Sequence, residues 1–357
     1  MSVIPGYENS SPGPQIGTKI GHDPSVDEVR LVKQLGLEWM MVNVPHDESG
    51  EPVEPYEKIR ARFDELGLKI YRLANLSCHN MPEVVLNLPG RDAKVEEYQR
   101  YLRATARAGV NYVTYAHMAN GIWSGPREGV RGDASARTFR PGAANVGSWV
   151  GQEWTDEPAG REYTEDELWA NYEYFMRAVA PVAEEAGVYI GMHPDDPPGC
   201  KLGGVPRPIF SSLAGYQRAI EIADSPNVGV CLCIGCWLEG GQTMGATPEE
   251  AIRAFAADNR LFKVHLRNVT ESLPAGFVET FPDDGYGDLR SIVNTLVEVG
   301  FDGAVMSDHM PETVGGPMVG EAYAVGYLKG LLEQATAAPG PTRRSREASR
   351  HRHGSSN

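Results

Sequence analysis

The chain has 357 residues, 41% of them hydrophobic, which is enough for a sizeable core in one large or two ordinary domains, and a formal net charge of -15. That balance speaks against a nucleic-acid groove, which is built from Lys and Arg surfaces, and no apolar stretch approaches the roughly 18 to 20 residues that cross a bilayer. With no charged-then-apolar signal pattern at the N-terminus and an odd number of cysteines, five, the expectation is a cytoplasmic globular protein without a disulfide framework.

Residues 1–14, with Pro5 and Pro12, read as a loose lead-in. Apolar, β-branched or aromatic runs then fall at 16–20, 37–44, 68–73, 110–115, 188–192, 228–233, 261–266 and 303–306. Helical periodicity fills the intervals at 27–35, 56–66, 95–108, 165–186, 213–222, 248–257 and 289–299, with a final helix at about 321–333. Ser25 before Asp27 and Glu28, and Thr164 before Glu165 and Asp166, give helix starts with acidic first turns. Gly36, Gly67, Gly109, Gly187 and Gly300 each stand between a helical pattern and an apolar run, where a helix stop feeds the next strand. Eight such βα units predict an α/β fold, a single-domain (β/α)₈ TIM barrel over residues 15–336. A long loop at about 117–162 follows the fourth strand, and residues 337–357, rich in Pro, Arg, Ser and His, predict a disordered basic tail in which His351 and His353 are solvated.

Four of the predicted strands end on residues that can bind metal: His193, Cys233, His265 and Asp308. Each alone has a bland reading, a hydrogen-bonded core histidine or an inert buried thiol. Four together at the ends of strands five to eight share one rim of a barrel, where such folds keep their chemistry, and predict one mononuclear site. Cys233 and Cys236 also have the spacing of a zinc knuckle, but the chain has no second such pair, and Cys231 and Cys233 share one face of a strand. The mixed hardness of imidazole, thiolate and carboxylate admits zinc or another late first-row ion such as cobalt, and equally manganese or iron. A divalent ion there would polarise a hydroxyl or carboxylate oxygen while a proton leaves the neighbouring carbon, with His309 and Tyr323 as candidate acid and base.

In this order, His193-Pro194-Asp195-Asp196-Pro197-Pro198, Gly204-Val205-Pro206-Arg207, Cys233-Ile234-Gly235, His265-Leu266-Arg267, Asp308-His309 and Tyr323-Ala324-Val325-Gly326 resemble the metal-dependent mannonate dehydratases, among the xylose-isomerase-like barrels. The resemblance covers most of the chain. It implies a manganese-type ion on His193, Cys233, His265 and Asp308, proton transfer by His309 and Tyr323, and removal of water from a sugar acid to give a 2-keto-3-deoxy acid. The sequence departs from the family pattern at Val278 and Pro282, where histidines flank the family's glutamate, here Glu279, and at Met306, where the family has an arginine. Arg207 and Arg267 beside the ligand segments, Glu279, Trp123 and Arg127 of the long loop, and His22 and His117 after early strands are the candidates for substrate contact. Arg131 and Arg137 read with Trp123 as a lid or as a solvated loop, and His46 and His79 face the same rim. The partner expected is a small polyhydroxylated substrate, with no nucleic acid or membrane and with a homo-oligomer left open. Two other enzyme readings are a sugar isomerase or epimerase using the same ion and a zinc phosphodiesterase barrel, which the charge balance disfavours. A barrel that binds without catalysis has no use for the His309 and Tyr323 pair.

Overall fold

Residues 7, 9, 11–158 and 160–337 are described in the computed structural model. The expected disordered tail beyond residue 337, with His351 and His353, lies outside the described residues, as do residues 1–6, 8 and 10 of the lead-in.

Eight parallel strands form the centre: β1 (Gln15–Gly21), β2 (Trp39–Asn43), β3 (Lys69–Ala74), β4 (Tyr112–Tyr115), β5 (Tyr189–Met192), β6 (Val228–Cys233), β7 (Leu261–Leu266) and β8 (Ala304–Ser307). They are hydrogen-bonded in the order β3-β2-β1-β8-β7-β6-β5-β4, the nearly closed barrel that eight βα units predict. Strands such as β6 and β7 are buried on both faces, which is why they read as continuous runs and not as alternating ones. Around them lie α1 (Val26–Gln34), α2 (Tyr56–Glu65), α3 (Arg91–Arg107), α4 (Glu165–Ala186), α5 (Leu213–Ala223), α6 (Pro248–Ala257), α7 (Leu289–Glu298) and α8 (Pro317–Ala337). Capping boxes open α1 through Ser25 and Glu28 and α4 through Thr164 and Glu167. The five glycines predicted to stop helices all take φ between +66° and +72°, a region that costs a side chain its Cβ clearance. Helix α3 starts at Arg91 and not at 95, because its first turn is polar and the apolar stripe begins only with the buried Val95.

The lower barrel is plugged by aromatics, with Tyr7, Trp39, Tyr71, Tyr112, Phe262 and Met306 packed in one cluster. Within the lead-in, Tyr7 is therefore buried, stacked on Tyr71 and donating to the Tyr71 carbonyl at 2.5 Å. Room for the plug comes from missing side chains: a Cβ on Gly191 would sit 2.3 Å from the Tyr112 hydroxyl, and one on Gly229 2.5 Å from the Phe262 ring. Two strands carry register shifts, β3 where Met40 pairs Ile70 but Met41 pairs Arg72, and β7 where Val230 pairs Leu261 but Cys231 pairs Lys263. Such bulges let consecutive residues share a face, and they give the inner wall Tyr71 with Arg72 and Phe262 with Lys263.

The long loop after β4 is folded. Ile122–Ser124, Val146–Trp149 and Gln152–Trp154 form an antiparallel sheet, and Glu128–Val130 pairs with Ala134–Ala136. Thr138–Phe139 pairs with Phe277–Thr280, which joins this loop to the one after β7. Among the described residues no helix is long and apolar enough to cross a membrane.

Candidate metal centre and active site

Strand ends set the donor positions. His193 directly follows β5, Cys233 is the last residue of β6 and pairs with His265 of β7, and Asp308 directly follows β8. Ligand atoms of Cys233, His265 and Asp308 all lie within 4.8 Å of one another, and those of His193, Cys233 and Cys236 do likewise. The Cys233 sulfur is 3.3 Å from Asp308 Oδ2, and the His193 and His265 rings are 5.3 Å apart. His193 Nδ1 donates to its neighbour's carbonyl, Pro194 O, at 2.8 Å, which leaves Nε2 towards the other donors; burial opposes charge on the ring, but Cys233 prevails and raises it to about 9, so a cation binding there would displace the Nε2 proton. His265 Nδ1 is buried without a hydrogen-bond partner, 3.9 Å from Asp308 Oδ1. An orphaned imidazole nitrogen beside a thiol and a carboxylate fits a bound divalent cation. Burial and the Asp308 carboxylate oppose charge on Cys233, but the Cys236 hydrogen bond, the Arg267 guanidinium and His193 outweigh them and hold the thiol well below its usual range, towards the thiolate a metal needs.

Behind the donors lies a buried ion cluster. Arg267 contacts Asp308 Oδ2 at 3.1 Å, Asp196 at 3.3 Å, Glu239 at 2.5 Å, and Glu279. Arg137 contacts Asp196 at 2.5 Å, Glu239 at 2.9 Å and Glu279 at 2.7 Å. Asp196, Glu239 and Glu279 are shared by the two guanidinium groups and Asp308 adds a fourth carboxylate on Arg267, so negative charge is in excess. Burial pushes the Glu239 carboxyl well up despite both arginines, and its second oxygen has no partner, consistent with a proton on it. His309 hangs from this cluster, its Nδ1 2.8 Å from Glu279 Oε1 and its Nε2 3.6 Å from Asp308 Oδ1. Burial pulls its imidazolium down, but the carboxylates of Asp308 and Glu279 prevail and raise it. Tyr323, on α8, stands at the outer edge of the mouth, 38% exposed, with its ring against Phe281 and its hydroxyl 3.4 Å from Arg131.

The expected substrate contacts fare differently. Arg207 is buried and spends its guanidinium on the carbonyls of Asp196, Pro197 and Gly121 and on the Asn120 side chain, so it braces the loop after β5 and faces no opening. Arg267 is fully buried in the ion cluster, and Glu279 lies behind His309 as its hydrogen-bond partner. Trp123 is not a lid: it is wholly buried, and a Cβ on Gly147 would meet its indole nitrogen at 2.5 Å. His117 turns away from the axis into the packing of α4, 2.6 Å from the Tyr115 hydroxyl and edge-on to Tyr172 and Phe210, and burial pulls it down to about 3. Arg127 is engaged by Ser135 and Glu312 on the exposed side of its hairpin, and His22 is half-buried, with its carbonyl taken by Arg62. Of the early histidines, His46 bonds the Tyr56 hydroxyl, whereas His79 approaches the donors, its ring 6.1 Å from that of His193.

Sequence reasoning missed Arg72 and Lys263. Strict alternation puts Tyr71 and Arg72 on opposite faces, and only the bulges overrule it; a lysine inside the buried run Leu261–Leu266 was the available signal.

A family model described as D-mannonate dehydratase (UxuA) matches residues 156–339. The chain is 31% identical over 327 residues to a mannonate dehydratase of Shouchella clausii, covering 79% of this chain and 85% of that protein. Its fold matches the crystal structure of mannonate dehydratase from Streptococcus suis serotype 2 with a TM-score of 0.74 at 24% identity, over 92% of this chain and 97% of that one. A xylose isomerase domain protein from Planctomyces limnophilus has the same fold, with a TM-score of 0.60 at 14% identity, over 91% and 99% of the two chains.

Proposed function

This chain belongs to the mannonate dehydratase family, and from that premise we propose that it removes water from a sugar acid such as D-mannonate to give a 2-keto-3-deoxy acid. The observation that carries this reading is the convergence of His193, Cys233, His265 and Asp308 at one rim with His309 beside them. These four residues would hold a single divalent ion, manganese before zinc, iron or cobalt. Such an ion, when bound, polarises the substrate's oxygens and offsets the charge that develops as a carbon-bound proton leaves. The chain's own residues supply the proton traffic. Glu279 fixes His309 through Nδ1 and leaves Nε2 to give a proton to the departing hydroxyl. Tyr323 is the group assigned to take the proton from carbon, and it would do so as its phenolate, which burial and Asp283 oppose and the Arg131 guanidinium, 3.4 Å from its oxygen, favours. The ion cluster and Arg207 keep the floor of the site dry and fixed, so the donors do not reorganise during the reaction.

Incubation of the metal-loaded protein with D-mannonate and a panel of ketoses, followed by semicarbazide absorbance, tests the reading. A 2-keto acid from mannonate is expected. An interconverted sugar with no keto acid would replace the dehydratase with an isomerase or epimerase.

A further inference from the structure

Two buried cations meet inside the barrel, and the nearest anionic group to either is the Cys231 thiol, which His265 and Lys263 hold towards its thiolate form against burial. Arg72 is 4% exposed and Lys263 not at all, and each is brought to the inner wall by the bulge in its strand. Arg72 Nη1 and Lys263 Nζ both lie 3.5 Å from the same acceptor, the sulfur of Met41. Arg72 otherwise reaches His79 Nδ1 at 3.3 Å, and its Nε has no partner. Among the described residues no ion pair joins either cation to a carboxylate. Lys19 adds a third cation at the rim. It pairs with Met41 across β1 and β2, and its Nζ is 3.2 Å from the Asp308 carbonyl. The next residue inward-facing on that strand is Gly21, beyond whose Cα nothing lies within 4 Å of an added Cβ.

A thioether is a weak acceptor, and two like charges sharing one in a barrel interior are destabilising unless an anion joins them. A carboxylate satisfies both, two-pronged on the guanidinium and singly on the ammonium. Met41 is half-buried, unbranched and flexible, the kind of side chain that yields to a ligand. Lys263 precedes His265 by two residues, roughly 6 to 7 Å along the strand, so an acid group bound here lies deep and its polyol chain runs up past the metal donors.

We infer that Arg72 and Lys263, with Lys19 at the rim, form the seat of the substrate's carboxylate, uncovered when Met41 swings aside. The identity of the acid rests on the sugar-acid reading above; the seat's preference for an anion does not.

Calorimetric titration with D-mannonate and with D-mannitol, its neutral counterpart, tests the seat in metal-loaded protein carrying His309→Asn, so that the acid is not consumed. Arg72→Met and Lys263→Met are each expected to weaken mannonate by about 10- to 100-fold and leave mannitol unchanged. Without ligand, both variants are expected to melt higher than their parent, because a buried repulsion is gone. Variants that keep the preference for mannonate over mannitol overturn the seat. So does a lower melting temperature with both ligands weakened, the signature of a structural role. Acetate separates this inference from the choice of substrate. A rise in melting temperature with acetate that disappears in Lys263→Met, in protein that ignores mannonate, supports the seat and removes the sugar acid; no response to either anion removes the seat.

Discussion

Cys233 and His193 carry the metal assignment between them, because Cys233 belongs to both groups of donor atoms and His193, its Nδ1 taken by Pro194, has Nε2 left for an ion. Purified protein is expected to hold one tightly bound ion per chain by elemental analysis, lost in both Cys233→Ser and His193→Ala. Stoichiometric metal surviving either change would contradict the ligand set. His309 and Tyr323 do not have to touch the ion, so His309→Asn and Tyr323→Phe separate chemistry from metal binding. Each is expected to lower kcat by about 10² to 10⁴-fold while the ion content stays that of the parent. Glu279→Gln belongs with them, since it leaves His309 in place but weakens the hydrogen bond that holds its Nδ1.

At the scale of elements, the loop after β4 is tied to the barrel by Arg137, whose guanidinium reaches the Trp123 carbonyl and the carboxylates of Asp196, Glu239 and Glu279. Arg137→Met would leave those three buried carboxylates with Arg267 as their one guanidinium partner. The expected loss of stability is roughly 3 to 5 kcal/mol, read from the urea midpoint, because breaking a buried pair strands its charges. Trp123→Ala, in the same loop, is expected to cost a similar amount, about 3 to 5 kcal/mol, through the cavity it leaves. A Trp123 acting as a mobile lid would instead change activity with little change in stability.

For the molecule as a whole, His117 links stability to acid. Burial lowers its folded pKa from 6.5 to about 3, so the unfolded chain takes up a proton that the folded chain refuses between those values. Its contribution is fully present above about pH 6.5 and is lost as pH falls towards 3, at about 1.4 kcal/mol per pH unit within that window. Urea unfolding across this range is expected to show a shallower acid decline in His117→Asn; parallel curves would contradict it. Removing the ion with a chelator is expected to lower the melting temperature, since a ligand bound only by the folded state stabilises it by mass action.

The order of apolar runs, helix caps and stop glycines determined the eight-stranded barrel, because burial on both faces and local backbone conformation are written in neighbouring residues. The same logic reached the four candidate donors, since position relative to a strand end is itself local: each stands at the point where an apolar run stops. Which side chains face the opening was decided only by the tertiary structure. Arg207, Arg267 and Glu279 have the composition of a substrate clamp, yet each is taken by partners far away in the chain. Arg72 and Lys263, which alternation cannot place, reach the inner wall through two bulges and meet at a sulfur 31 and 222 residues distant. Charges in a protein are assigned by whichever opposite groups the fold brings close, and that pairing exists only in three dimensions.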